Sequence, residues 1–365
     1  MRAALLEAQG RPLRICDDIE IEAPRSGQVR VRVAHCGICH SDLGLIDGTF
    51  PSPLPIVLGH EAAGVVDGVG PGVEGLAAGD PVVLTPCPPC GACYWCVRGE
   101  ASLCVDSSGI QTSAFPDGHT GLSRDGQTVY RGLNVAAFAE YAVLPATGAV
   151  RIPADVPLDV ACVIGCAVQT GVGAVLNTAG VEEGATVLVM GLGGVGLAIV
   201  QGARIAGAAR ILASDPIAER REVAKRFGAT DLLDPTDDDV VARARALTGV
   251  GVDYAFESAG RASLVEAGLA AVRSGGTVVC VGAPALGEAI TLAPAALFVV
   301  TGKKLLGCVL GGCHSLREVP RLIALWRAGR LDLNGLITTR RPLAEINEAL
   351  DDLAAGRGIR TVLSV

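Results

Sequence analysis

The sequence predicts an α/β protein in which a doubly wound parallel sheet is joined to a second, β-rich domain. Three observations predict it. From about residue 168, nearly continuous apolar runs alternate with helix-length stretches, as strands buried on both faces of a parallel sheet require. Before about residue 150 the chain instead shows short segments punctuated by Gly and Pro. Its 365 residues exceed what one hydrophobic core organises, so two domains are expected.

Taken in order, residues 28 to 34 (Gln-Val-Arg-Val-Arg-Val-Ala) alternate apolar and polar in the manner of a half-buried strand. The turns "PSPLP", "GVGPGVEG" and "TPCPPCG" divide the rest of the β-rich part into short segments. Thr186 to Met190, Arg210 to Ser214, Val252 to Glu257 and Gly276 to Gly282 then read as buried strands, with a helix over Ala218 to Phe227. After Leu310 the texture returns to short mixed elements. The remaining stretch, about 55 residues, is too short for a comfortable core, so it is expected to rejoin the first domain. The division is 1–167, 168–309 and 310–365.

Composition narrows the function. Half the residues are apolar and 48 are glycine, which suits packed structure with tight turns. The formal charge is -8 and the Lys and Arg residues are scattered, which excludes a nucleic-acid or anionic-membrane binder. Met1 to Gly10 shows no charged start followed by an apolar block, and later apolar runs break before about 18 residues. A soluble, cytoplasmic protein is expected. The cysteines number 13, an odd count, and five crowd between Cys87 and Cys104, so reduced thiols and metal are expected rather than disulfides.

The strand at Thr186 to Met190 runs into Gly191-Leu-Gly193-Gly194-Val195-Gly196, followed by a helix-like run from Leu197 to Ile205. Strand, glycine turn and helix start together form a pyrophosphate cradle, because glycines let the backbone approach the phosphates at the positive end of a helix. Asp215 follows Gly196 by 215 − 196 = 19 residues, the distance at which an acidic side chain accepts hydrogen bonds from an adenosine ribose. Arg220 and Arg221 could pair with a 2′-phosphate, which Asp215 would repel, so NAD is the expected cofactor rather than NADP.

Cys90, Cys93, Cys96 and Cys104 have the spacing C-x2-C-x2-C-x7-C. Four thiolates complete tetrahedral zinc and leave no open position, which describes a structural site. Cys87 precedes Cys90 by three residues, so spacing alone also admits the set Cys87, Cys90, Cys93 and Cys96. Elsewhere stand Cys36-Gly-Ile-Cys39-His40-Ser41-Asp42, then Gly59-His60-Glu61, then Gly165-Cys166. Two thiolates and an imidazole would make a neutral zinc site open to water or substrate. In isolation a cysteine is usually a small core hydrophobe and a histidine an ordinary polar group, and periodicity does not bring these distant residues together.

The motifs "CGICHSD", "GHEAAGVV", "CGACYWC", "GLGGVG", "GGCHSLREVPRLI" and "GRGIRTVL" run nearly end to end, and with them the chain resembles the zinc-containing medium-chain alcohol dehydrogenases. That resemblance implies a GroES-like catalytic domain split around a dinucleotide-binding domain, with two zinc ions per chain. It assigns the catalytic zinc to Cys39, His60 and Cys166, and the structural zinc to Cys90, Cys93, Cys96 and Cys104, leaving Cys36 and Cys87 as spares. Asp42 is expected to orient His60, and Glu61 to lie behind the zinc as an occasional alternative ligand. His40 and Arg360 are expected to flank the pyrophosphate, although a neutral imidazole is a weaker phosphate partner than a guanidinium. Thr170, Val195 and the segment Val281 to Ala283 are expected on the nicotinamide side.

The implied reaction interconverts an alcohol and its aldehyde or ketone by hydride transfer to or from NAD. Ser41 is expected to accept the hydroxyl proton. The animal liver enzymes of the family carry a relay histidine where this chain has Gly44, so the relay is truncated here. Pro86, Ala283 and Val309 are the pocket neighbours that the resemblance implies, and their apolar character favours uncharged or aromatic primary alcohols. Rival readings are a nicotinoprotein with tightly bound NAD, a thiol-dependent formaldehyde dehydrogenase, and a non-catalytic binding protein on the same fold. The resemblance also implies a homodimer or homotetramer.

Overall fold

The computed structural model describes residues 1–292 and 294–365. The chain forms two compact units: Met1–Ala167 with Cys313–Ala328 and Leu333–Val365, and Val168–Gly312 with Gly329–Asp332. The short excursion Gly329–Asp332, expected with the rest of the carboxy-terminal stretch, joins the second unit instead. Gln201, wholly buried there, satisfies its amide on the Asp332 backbone, donating to its O at 3.0 Å and accepting from its N at 2.7 Å.

In the first unit the alternating segment becomes strand β1 (Gln28–Gly37), with Val29, Val31 and Val33 buried. The chain then enters helix α1 (His40–Asp47), which stops at Gly48 where φ is +85°. Strand β2 (Glu61–Val69) returns antiparallel to β1 with Glu61 opposite Gly37, and β3 (Pro81–Leu84) pairs with β2. The carboxy-terminal strand Arg360–Ser364 pairs antiparallel with the far end of β1, Val362 opposite Gly37. These registers bring the starts of α1 and β2 and residue Arg360 to one place. Beneath them lies a core of Val31, Leu58, Val66, Leu84, Phe138 and Leu363, among others.

The second unit is a six-stranded, all-parallel sheet. Its strands are β4 (Thr186–Met190), β5 (Arg210–Ser214), Asp231–Leu233, Val252–Glu257, Val272–Cys280 and Lys304–Gly307. Numbered along the chain they lie in the order 3-2-1-4-5-6, the doubly wound dinucleotide arrangement. Helix α2 (Gly194–Ala206) follows β4 directly, and α3 (Ala218–Phe227) follows β5. Strand Val272–Cys280 starts earlier than its apolar run, because Arg273 to Gly275 are exposed yet still strand. Among the described residues no single helix is long and apolar enough to cross a membrane.

Candidate metal and cofactor sites

Three segments of the first unit converge. Ligand atoms of Cys39, His60 and Cys166 all lie within 4.8 Å of one another. Cys39 is the cap at the start of α1, His60 directly precedes β2, and Cys166 ends the run that leads out of the unit. Cys39 and His60 are buried, while Cys166 is partly exposed. The thiols share their protons unequally: a hydrogen bond from Cys166 holds Cys39 well below the usual thiol range against its burial, and Cys166 is raised correspondingly. Two thiolates and one imidazole at this spacing fit a divalent, borderline-soft ion and leave a fourth position for substrate.

Asp42 organises the site. Its Oδ2 accepts from Cys39 N at 3.0 Å, and its Oδ1 accepts from Gly59 N at 3.1 Å and meets His60 Nδ1 at 3.3 Å. One buried carboxylate thus ties the first ligand to the second and leaves the other ring nitrogen for a metal. Burial disfavours the His60 imidazolium, but Asp42 and Cys39 outweigh it and raise its pKa well above the ordinary histidine range.

Glu61 is not among the ligand atoms grouped within 4.8 Å and is held by other partners. Its Oε1 accepts from Ala167 N at 2.8 Å and its Oε2 lies 3.3 Å from Arg360 Nη1, which also donates to Ile38 O. The carboxylate therefore braces the residue after Cys166, and Arg360, only 5% exposed, is its counter-ion. Burial pushes the Glu61 carboxyl up, with Arg360 opposing. This brace requires glycine at 37, where a Cβ would overlap the Glu61 carboxylate. Sequence reasoning missed Gly37, because only cross-strand register connects it to Glu61. Ser41 is half-buried with Oγ 3.7 Å from Cys39 Sγ, and His40 opens α1 at the surface. Gly44 is buried under the ring of Phe50.

The second cluster holds Cys90, Cys93, Cys96 and Cys104, again with all ligand atoms within 4.8 Å. The backbone is wrapped for thiolates: Cys90 N donates to Cys104 Sγ at 3.2 Å and Cys93 N to Cys90 Sγ at 3.3 Å. Hydrogen bonds from Cys96 N and Val105 N pull the Cys93 thiol down to about 6. Cys87, the competitor by spacing, stands outside the cluster: it is 2% exposed and burial pushes its thiol up to about 12. A thiol held protonated is a poor ligand.

In the second unit the glycine loop has the conformation that a phosphate cradle needs. Gly191 holds φ +90°, a left-handed value suited to glycine, and a Cβ on Gly196 would overlap Gly191 O. Gly193 caps α2, with nothing within 4 Å of where its Cβ would be, so the space before the helix start is open. Gly194 and Val195 form the first turn of α2. Asp215 directly follows β5 and is 4% exposed; its Oδ2 accepts from Leu192 N at 2.7 Å and its Oδ1 from Ile217 N at 2.8 Å. The acidic side chain therefore also holds the glycine loop in place.

Arg221 is committed to Asp215 O at 2.6 Å and to Asp234 at 2.7 Å, while Arg220 is half-buried in α3. Thr170 is largely buried, and Val281 and Gly282 donate their N–H groups to Glu257 O at 2.8 and 2.9 Å. Ala283 is exposed, as is Val309, whereas Pro86 is buried in the first unit.

The known proteins agree with this chemistry. Residues 25–154 match the alcohol dehydrogenase GroES-like domain, and residues 194–325 match the zinc-binding dehydrogenase domain. The chain is 38% identical to an S-(hydroxymethyl)glutathione dehydrogenase of Synechocystis sp. over 99% of both sequences. Among solved structures, it resembles an alcohol dehydrogenase zinc-binding domain protein from Burkholderia ambifaria, with a TM-score of 0.94 and 38% identity, covering 100% of this chain and 98% of that one. It also resembles benzyl alcohol dehydrogenase from Acinetobacter calcoaceticus, with a TM-score of 0.94 and 31% identity, covering 100% and 99%. With both domain types, both cysteine clusters and the glycine loop in one chain, the protein belongs to the zinc-containing medium-chain alcohol dehydrogenase family.

Proposed function

We propose that this dehydrogenase oxidises uncharged primary alcohols, aromatic ones among them, or reduces their aldehydes, with NAD as the hydride carrier. The observation that carries the reading is the convergence of Cys39, His60 and Cys166 within 4.8 Å, with Asp42 holding the imidazole. A zinc ion held there would supply Lewis acidity toward a substrate hydroxyl, and NAD would supply the hydride acceptor. Cys39, His60 and Cys166 hold the metal, and Asp42 fixes the tautomer and direction of His60. Ser41 accepts the hydroxyl proton, which leaves through His40, through water or directly from the nicotinamide ribose, since Gly44 carries no relay group. Glu61 and Arg360 brace the Cys166 turn, and Arg360 together with His40 also flanks the pyrophosphate.

Cys90, Cys93, Cys96 and Cys104 hold the structural zinc. The glycine loop from Gly191 to Gly196 carries the pyrophosphate, with Thr170, Val195, Val281 and Ala283 on the nicotinamide side. Asp215 supports NAD over NADP, because a 2′-phosphate would face a buried carboxylate, and Arg221 is already engaged. A homodimer or homotetramer in the cytoplasm rests on the family resemblance.

A second reading, glutathione-dependent formaldehyde oxidation, is favoured by the 38% identity to the cyanobacterial S-(hydroxymethyl)glutathione dehydrogenase. The test is zinc analysis of the purified protein together with turnover on benzyl alcohol, ethanol, and formaldehyde with and without glutathione, each with NAD and with NADP. Two zinc ions per chain and NAD-coupled oxidation of benzyl alcohol are expected. Turnover confined to formaldehyde plus glutathione selects the second reading. A single zinc, resistant to removal and held by the four thiolates, discards the catalytic assignment.

A further inference from the structure

The segment Gly132–Phe138 of the first unit concentrates unusual backbone: Leu133, Asn134 and Ala136 hold φ of +50°, +65° and +63°. Left-handed conformations at non-glycine residues persist only where the surroundings over-determine them. Here the determinant is Arg131, 1% exposed. Its Nη2 donates to Asn134 O at 2.7 Å and Val143 O at 3.0 Å, its Nη1 reaches Asn134 Oδ1 at 3.4 Å, and the Phe115 ring covers it at 3.7 Å. Its partners are carbonyls and a ring rather than a carboxylate, and burial pulls the guanidinium down to about 9. A buried cation kept on neutral acceptors is an expensive way to hold one loop.

The loop it holds stands between the two cysteine sites. Asn134, 2% exposed, donates from Nδ2 to Pro86 O at 3.0 Å and to Asp106 O at 2.9 Å. Pro86 precedes the four-cysteine lobe and Asp106 follows it, so one side chain pins both stems. Cys87, next to Pro86 on the first stem, is buried outside the metal cluster. Three residues on, Ala137 N donates to Gly59 O at 2.8 Å and Phe138 N to Leu58 O at 2.9 Å. Gly59 holds φ +88°, and a Cβ there would come 2.5 Å from the Phe138 ring. Gly59 directly precedes His60, and its own N–H is held by Asp42.

We propose that Asn134 is a positioning residue that couples the seating of the four-cysteine lobe to the geometry of the Cys39, His60 and Cys166 site. The path is continuous: lobe stems, the Asn134 amide, the Ala137–Gly59 hydrogen bond, then His60 and Asp42. The proposal rests on the reading that these three residues hold a zinc ion.

The test uses the full chain with cobalt(II) exchanged into the three-ligand site and zinc left in the lobe. Its readouts are the visible cobalt spectrum and the rate at which EDTA strips the cobalt. Asn134→Gly keeps the left-handed backbone and deletes the bridge, and Cys96→Ser unseats the lobe. Each alone is expected to speed cobalt release roughly tenfold, and the double variant to release it no faster than the quicker single, because both break one path.

Effects that multiply in the double variant overturn the coupling. So does an Asn134→Gly protein whose spectrum and release match the parent while only its melting temperature falls. Should Cys96→Ser not fold, Asn134→Asp decides: it removes both donated bonds yet gives Arg131 a counter-charge, and parent-like release in it refutes the proposal. A parent that takes up no cobalt on thiolate and imidazole ligands overturns the zinc reading itself, a result distinct from uncoupled sites.

Discussion

The ring of Phe50 lies over Gly44, where a Cβ would come 2.5 Å from Phe50 Cδ2 and 2.6 Å from Cε2. The position at which liver enzymes of the family carry a relay histidine is therefore closed by packing as well as lacking the side chain. Gly44→His returns less than about 1 kcal/mol of helix propensity but overpacks a buried site by about 1–3 kcal/mol. The clash wins, and the variant is expected to melt several degrees below the parent. Adding Phe50→Ala should recover more stability in the pair than the two single changes predict, because each relieves the other's fault. Thermal melts of the four proteins check this, and strictly additive losses refute the packing argument.

Asp42 serves Cys39 N, Gly59 N and His60 Nδ1 with one buried carboxylate. Asp42→Asn keeps the size and removes the charge that orients the imidazole. Zinc affinity of the Cys39 site is expected to fall about 10–100-fold, while the four-cysteine zinc is retained. Chelator competition with a zinc indicator, run as two release phases, measures both sites at once. Equal loss from both sites would mean that Asp42 supports the unit as a whole rather than His60.

Much of the second unit was legible because its signals are local. Thr186–Met190, Arg210–Ser214 and Val252–Glu257 form strands where their apolar runs lie, and the glycine loop has its expected strand and helix on either side. Asp231–Leu233 and Lys304–Gly307 were not legible, since three or four residues carry no periodicity. The convergence of Cys39, His60 and Cys166 depends on register between strands far apart in sequence, and only the resemblance anticipated it. Gly37 and Asn134 had no signal at all: one is explained by the strand opposite and the other by two lobe stems.

Asp215 carries two roles, accepting Leu192 N and Ile217 N while standing where the adenosine ribose is expected. Asp215→Asn keeps an acceptor for one of these N–H groups and removes the negative charge. Preference for NAD over NADP, taken as the ratio of kcat/KM values, is expected to fall about tenfold or more, since the repulsion of a 2′-phosphate disappears. Parallel initial-rate series with the two cofactors settle it. Loss of activity with both cofactors at an unchanged ratio would assign Asp215 to loop support alone.

His35 lies on β1, half-buried, with its Nδ1 enclosed and unpartnered. Burial lowers its pKa below the ordinary 6.5, Arg340 adds to the shift, and Asp159 and the Leu363 backbone oppose it. The sign comes from linkage. A histidine whose folded pKa is depressed binds its proton more readily when unfolded, so the stability it contributes is present above about pH 6.5 and is lost as pH falls toward the folded value. The denaturant midpoint is expected to drop between about pH 6.5 and the onset of carboxylate titration near pH 5. His35→Gln, neutral throughout, should flatten that part of the curve. An unchanged slope in the variant would place the effect elsewhere, whereas a flattened one ties it to the imidazole enclosed beside Leu363 and Asp159.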